Sequence, residues 1–92
     1  MSIVVRFKPT NLTTEKYNES IRRLEQVGSW PPDGLQSHVF FGPEDDLRVS
    51  EIWDSREQLA AFDERMMAVL TELGVGLSDE PEIFEVHNMI TR

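Results

Sequence analysis

The chain contains no cysteine, which excludes a disulfide framework, a thiolate nucleophile and any zinc site built on sulfur. Cations are scarce: nine Lys and Arg stand against 17 Asp and Glu, for a formal net charge of −8. Phosphate binding needs clustered cations, and Arg22-Arg23 is the only adjacent basic pair, of the kind that makes an ordinary solvated helix face. No nucleic-acid partner is expected. Long hydrophobic runs are missing as well. In Met1-Ser2-Ile3-Val4-Val5-Arg6-Phe7-Lys8 charge interrupts the apolar stretch long before it reaches the length of a signal-peptide core or a span. The expectation is a cytoplasmic protein with no membrane partner. Nor is there a phosphate-cradling glycine loop, a nucleophile elbow or a Ser/His/Asp arrangement.

What remains is one small domain, residues 1–92, with 39% hydrophobic and 28% charged residues, close to ordinary globular usage. A folded monomer of this length hides only about 60 to 65% of the surface its unfolded chain exposes, so self-association that covers more apolar area is favoured. Charge is uneven. Residues 1–30 carry five Lys/Arg and three Asp/Glu, whereas residues 31–92 carry four and fourteen.

Residues 2–8 are rich in β-branched side chains and end before Pro9, as a strand does where a backbone donor is lost. Thr13 can cap a helix, with Leu12 packing on Tyr17 as a staple. Tyr17, Ile21, Leu24 and Val27 then recur at helical spacing up to Gly28. Ser29-Trp30-Pro31-Pro32-Asp33-Gly34 must turn, and Leu35–Phe41 reads as a second strand. Gly42-Pro43-Glu44-Asp45-Asp46 has hairpin length, which makes Leu47–Trp53 its antiparallel partner. Ser55 and Gln58 have capping-box spacing ahead of the apolar stripe Leu59, Phe62, Met66, Val69, Leu70 and Leu73, closed by Gly74. Gly74–Pro81 reads as loop and Glu82–Ile90 as a last strand. The two halves repeat at an offset of roughly 42 to 44 residues. The order β-α-β-β-α-β predicts an α+β, ferredoxin-like sandwich.

An antiparallel sheet with helices on one face should alternate apolar and polar residues. Here both parities are apolar in places: Ile3-Val4-Val5, Val39-Phe40-Phe41, Ile52-Trp53 and Ile83-Phe84. A second copy of the same sheet would cover both open faces about a two-fold axis. A homodimer is predicted.

Glu51 shares the parity of Leu47, Val49 and Trp53. An acid on an apolar face is either paired, to Arg6 or across a dimer, or displaced in pKa and available as a general acid or base. His38 sits mid-strand with Gln36 and Phe40 as its expected same-face neighbours. Its unperturbed pKa suits base work. Pairing of sheet edges between two subunits would bring it near His87 of a second copy. No metal is expected, because no His-x-x-x-His or His-x-Glu spacing occurs. Asn88, at the parity of Phe84, Val86 and Ile90, is expected to point into apolar surroundings, bonded to backbone or presented to a ligand. Trp53 and Tyr17 combine an apolar ring with a polar tip and suit either a core or a ligand pocket. Met66-Met67 reads as gap-filling, and Glu44-Asp45-Asp46 and Asp79-Glu80 as solvated turns without calcium-loop spacing.

The run Leu47-Arg48-Val49-Ser50-Glu51-Ile52-Trp53-Asp54-Ser55 with Glu57 and Phe62, the run Pro81-Glu82-Ile83-Phe84-Glu85-Val86-His87-Asn88, and the Pro31-Pro32-Asp33-Gly34-Leu35 turn ahead of His38 resemble the dimeric α+β-barrel superfamily. They are most similar to its antibiotic-biosynthesis-monooxygenase-like branch. The resemblance implies a homodimer whose two sheets form a barrel, with a pocket between sheet and helices in each subunit and no bound cofactor. It implies one of the branch's reactions on a small aromatic or polyketide-like substrate, a cofactor-independent oxygenation or a cyclisation or isomerisation. His38 or Glu51 would then act as base, and Trp53, Asn88 and Tyr17 would position the substrate. Residues 56–73 lack the iron-binding His of haem-degrading relatives, and Phe62-Asp63 stand where monooxygenase members commonly carry a His. The alternative is a non-catalytic, stress-responsive or ligand-sequestering dimer with every polar group structurally satisfied.

Overall fold

The computed structural model describes every residue from Met1 to Arg92. In chain order the elements are β1 (Ile3–Phe7), β2 (Pro9–Thr10), α1 (Thr14–Gln26), β3 (Leu35–Phe41), β4 (Arg48–Trp53), α2 (Arg56–Glu72), β5 (Gly76–Leu77) and β6 (Glu82–Glu85). Four strands form an antiparallel sheet in the order β3-β4-β1-β6. This is the ferredoxin-like arrangement expected from the two split β-α-β halves.

Both helices begin where a side chain can replace the missing backbone acceptor. The Thr13 hydroxyl accepts from the Lys16 N–H at 3.1 Å, and the Ser55 hydroxyl accepts from the Gln58 N–H at 3.2 Å. The first helix ends differently from expectation. Val27, placed by spacing on the apolar stripe, is the C-terminal cap and 72% exposed. Ser20 is buried in its stead, its hydroxyl donating to the Tyr17 carbonyl. In the hairpin, Gly42 has φ +109°, and a side chain there would run into the Asp46 carbonyl, so only glycine closes this turn without strain.

The helices cover one face of the sheet. Ile3, Val5 and Phe7 of β1 and Val49 and Trp53 of β4 join Leu24 of α1 and Leu59 and Phe62 of α2 in one buried cluster. The other face is open. Across it Phe84, Val4 and Ile52 lie in one cross-strand row, and Phe84 (56%) and Val39 (50%) are strongly exposed.

Three expectations give way here. Gly74–Pro81 is not all loop, because Gly76–Leu77 pairs with Pro9–Thr10 in a two-stranded ladder; pairing so short carries no periodicity to read. The last strand ends at Glu85, not Ile90. Its neighbour β1 begins at Ile3, opposite Glu85, and after the Val86 N–H donates to the Ser2 carbonyl no backbone partner is left to pair with. Finally, β3 has a register shift between Leu35 and Ser37. This bulge turns Gln36 outward to bond Ser2 and Asp54 and brings Leu35, not Gln36, onto the core beside His38 and Phe40. No helix is long and apolar enough to cross a membrane.

Candidate acid–base site

The hairpin register sets His38 of β3 directly opposite Glu51 of β4, on the face that meets the helices. Partners in such a pair have Cβ atoms roughly 5 Å apart, close enough for imidazole and carboxyl to join. His38 Nδ1 lies 2.6 Å from Glu51 Oε2. Trp53, two residues beyond Glu51 and therefore on the same face, donates its indole N–H to Glu51 Oε1 at 3.1 Å. From the first turn of α1, the Tyr17 hydroxyl reaches His38 Nε2 at 2.7 Å. One chain of contacts thus runs Tyr17–His38–Glu51–Trp53.

Neighbouring rings hold this chain in place. The Tyr17 ring stacks on Phe40 with centroids 3.9 Å apart and planes 3° from parallel, and Trp30 meets His38 edge-on at 4.9 Å. Glu51 is 1% exposed, and a carboxylate taken that far from water is tolerated only with its oxygens bonded. Both are. An ionised carboxylate can only accept, so His38 Nδ1 carries a proton, and in the neutral ring Nε2 accepts from the Tyr17 O–H. Burial, and then the negative charge of Glu51, push the Tyr17 phenol above its ordinary value of 10.0. Tyr17 therefore rests as a neutral phenol and hydrogen-bond donor.

A cavity of about 50 Å³ lies between sheet and helices. Its walls are mainly apolar, with Phe7, Leu24, Trp30, Phe62, Met66 and Leu70 among them, and Tyr17, His38 and Glu51 are the acid–base groups that face it. Three of the expected site residues thus line one cavity. Trp53 touches it only through Glu51.

Asn88 does not belong to the site. It lies exposed on the C-terminal stretch beyond β6, because the strand that would have aimed it inward ends for want of a partner. His87 is exposed on the same stretch. Both ring nitrogens of His38 are engaged within the subunit, which leaves none for His87 of a second copy. Arg6 is not the partner of Glu51 either: it pairs in register with Ser50, on the opposite face of the sheet. No three His, Asp or Glu side chains gather where they could hold a metal ion.

Asp63 of α2 was not singled out as a site residue. Burial, and then the charge of Glu51, raise its carboxyl from 3.8 to about 6, and its buried Oδ1 has no hydrogen-bond donor. The available signal was its spacing from Leu59 and Met66, which puts an acid on the flank of the apolar stripe of α2.

No protein-family model matches the chain, and no curated protein matches it in sequence. Solved structures match in fold. The cofactor-independent oxygenase SnoaB from Streptomyces nogalater is 12% identical over 99% of this chain and 96% of its own, with a TM-score of 0.61. A candidate antibiotic biosynthesis monooxygenase from Deinococcus radiodurans is 14% identical over 100% and 98%, with a TM-score of 0.60. The de novo designed protein Foldit4 is 14% identical over 95% and 100%, with a TM-score of 0.61. The chain thus has the ferredoxin-like α+β fold of antibiotic-biosynthesis-monooxygenase-like structures, a fold also reached by design, so the reaction must be argued from the site.

Proposed function

We propose that this chain is a homodimeric small-molecule enzyme in which Tyr17, His38 and Glu51 form a proton relay acting on an uncharged aromatic or polyketide-like substrate. The observation that carries this reading is the unbroken contact from Tyr17 through His38 to Glu51 on the wall of an otherwise apolar cavity.

The relay works in one direction. A substrate O–H or acidic C–H placed against the Tyr17 oxygen gives it a proton as the Tyr17 proton passes to His38 Nε2. The phenol is regenerated, the substrate becomes an anion and His38 an imidazolium. Glu51 stabilises the imidazolium through Nδ1 without taking the proton itself, the role of the acid in a His-acid pair. Positioned proton transfer of this kind is worth about 10²- to 10⁴-fold in rate. Similarity in fold to SnoaB, a cofactor-independent oxygenase, supports a reaction that calls on no bound cofactor, and oxygenation, cyclisation or isomerisation would each begin here from the anion that the relay forms.

The apolar wall favours an uncharged ring, and the buried charge of Glu51 disfavours an anionic one. A cavity of about 50 Å³ admits a ring when flexible lining side chains such as Met66 give way. The open face with Val4, Val39, Phe41, Ile52 and Phe84 supports a second copy as its cover. Turnover of a panel of uncharged phenols, quinones and lactones tests the reading. A substrate turned over by the parent should lose at least a hundredfold in kcat with Tyr17→Phe or His38→Ala. Equal turnover by all three proteins would sink the relay, and no turnover of any panel member by the parent would leave the ligand-sequestering dimer as the better account.

A further inference from the structure

The cavity of about 50 Å³ is about a third of the roughly 150 Å³ that an engineered apolar cavity offers benzene, so a ring enters when a wall parts. Most of the wall is firmly tied. β3, β4 and β1 belong to one continuous sheet, and α1 and α2 are helices of 13 and 17 residues. The remaining wall is Pro9 and Leu12, on the link from β1 to α1, with Val75 and Leu77, on the link from α2 to β6. These links are joined by β2 and β5, a ladder of two residue pairs, Pro9 with Leu77 and Thr10 with Gly76, that belongs to no larger sheet. At one end the Ser78 N–H and hydroxyl both reach the Lys8 carbonyl, at 3.4 and 3.2 Å, each longer than an ordinary bond of its kind. At the other the Lys16 ammonium donates to the Asn11 carbonyl at 3.1 Å, and a Cβ on Gly74 would lie 4.0 Å from Lys16 Nζ, so this side chain stands between the roots of both links. An isolated pair of strands is marginally stable, and segments held by few hydrogen bonds open most readily.

We propose that the β2–β5 ladder is the gate of the cavity, a strap that opens to admit an uncharged ring beside Tyr17 and closes behind it, with the Lys16 ammonium as its latch. Pro9 and Leu77 line the cavity, and Leu77 also packs against the buried cluster, so closure restores an apolar wall and shuts water out, as lids over reacting groups do. Lys16 directly precedes Tyr17 in α1, which sets the latch on the same helical turn as the first member of the relay. The proposal rests on the reading of the cavity as a ligand site and adds to it the way in. Without this role, ring entry would be indifferent to whether β2 and β5 can part.

The chain has no cysteine, so Thr10→Cys combined with Gly76→Cys supplies the sole pair of thiols. A Cβ at Gly76 would lie 3.1 Å from Thr10 Oγ1, within reach of a disulfide, whose Cβ atoms stand about 4 Å apart. Entry of para-nitrobenzyl alcohol, an uncharged ring that quenches indole emission, is followed by stopped-flow fluorescence of Trp30 on the cavity wall. The oxidised pair should slow entry by about tenfold or more, and reduction of the same protein should restore the parent rate. Gly76→Cys alone, under oxidant, should enter at the parent rate, which separates the cross-link from the substitution. Lys16→Met removes the latch, keeps the stem and should speed entry by about two- to fivefold, so a cysteine pair that failed to fold would not block the test. Entry at the parent rate through an oxidised strap, or a Lys16→Met protein no faster than the parent, would overturn the gate. Failure of the cavity reading looks different: the parent itself would show no saturable quenching, and the gate would fall with it.

Discussion

Glu51→Ala removes a side chain that is 1% exposed and accepts from both Trp53 Nε1 and His38 Nδ1. Trp53 is fully buried, so its N–H gains no water in exchange and costs about 1 to 3 kcal/mol when left unbonded. His38 has a side chain 15% exposed and recovers part of its loss from solvent, which puts its share at about 1 kcal/mol. Relief from burying a carboxylate offsets some of this, and the cavity left behind adds to it. The net expectation is about 2 to 4 kcal/mol of destabilisation. Glu51→Gln should behave differently. The amide oxygen still accepts from Trp53, while the amide nitrogen donates to His38 Nδ1 and drives the ring proton to Nε2. Every bond is kept, but Nε2 can no longer receive the Tyr17 proton. Glu51→Gln should therefore lose about 1 kcal/mol or less and lose its turnover. Urea unfolding at a fixed protein concentration, with nitrogen shifts of the His38 ring to report the tautomer, checks both variants. A Glu51→Ala protein as stable as the parent, or a Glu51→Gln protein as unstable as Glu51→Ala, would refute the reasoning.

Asp63→Asn should stabilise the protein at neutral pH. Because the folded-state carboxyl is raised from 3.8 to about 6, the folded parent binds the proton more tightly than the unfolded chain, and its stability falls as pH rises through that window. Taken whole the displacement is worth about 3 kcal/mol, and screening of a half-buried carboxyl leaves about 1 kcal/mol. Urea unfolding should show this gain at pH 7.5 and none below pH 3.5; a gain of equal size at both would refute the assignment. Tyr17 is the only tyrosine, so absorbance at alkaline pH follows it alone. Its ionisation should begin above the ordinary 10.0 and move back partway in Glu51→Gln; an ordinary, unresponsive titration would contradict the contact chain. Phe84→Glu places a charge on the open face at a side chain 56% exposed, where it should cost the monomer little and convert a sedimenting dimer to monomer. A dimer that persists would place the interface elsewhere.

The face that each residue of the Leu47–Trp53 strand takes was legible from period-two spacing, and with it the shared parity of Glu51 and Trp53. The length of the Gly42–Asp46 turn made the neighbouring strand antiparallel. The partner of Glu51 was not legible, since strand parity says which side a residue faces and not which residue lies opposite. The bulge at Gln36 shows the limit in detail: alternation placed Gln36 beside His38, and one extra residue put Leu35 there. The link from Tyr17 to His38 depends on where α1 crosses the sheet, which helical periodicity does not determine. Asn88 was misplaced because a strand lasts only as long as its neighbour, and β1 ends the pairing at Ile3. Asp63 escaped selection because the charge that raises it, Glu51, is brought close only by the packing of α2 against the sheet.

A crystal structure of the protein soaked with a panel of uncharged phenols and quinones tests the central claim most directly. The relay account expects ring density between the sheet and the helices, with a polar atom of the ligand within hydrogen-bonding distance of the Tyr17 oxygen. An interior that stays filled by its own side chains under saturating soaks, with Tyr17, His38 and Glu51 bonded only to one another, would contradict it.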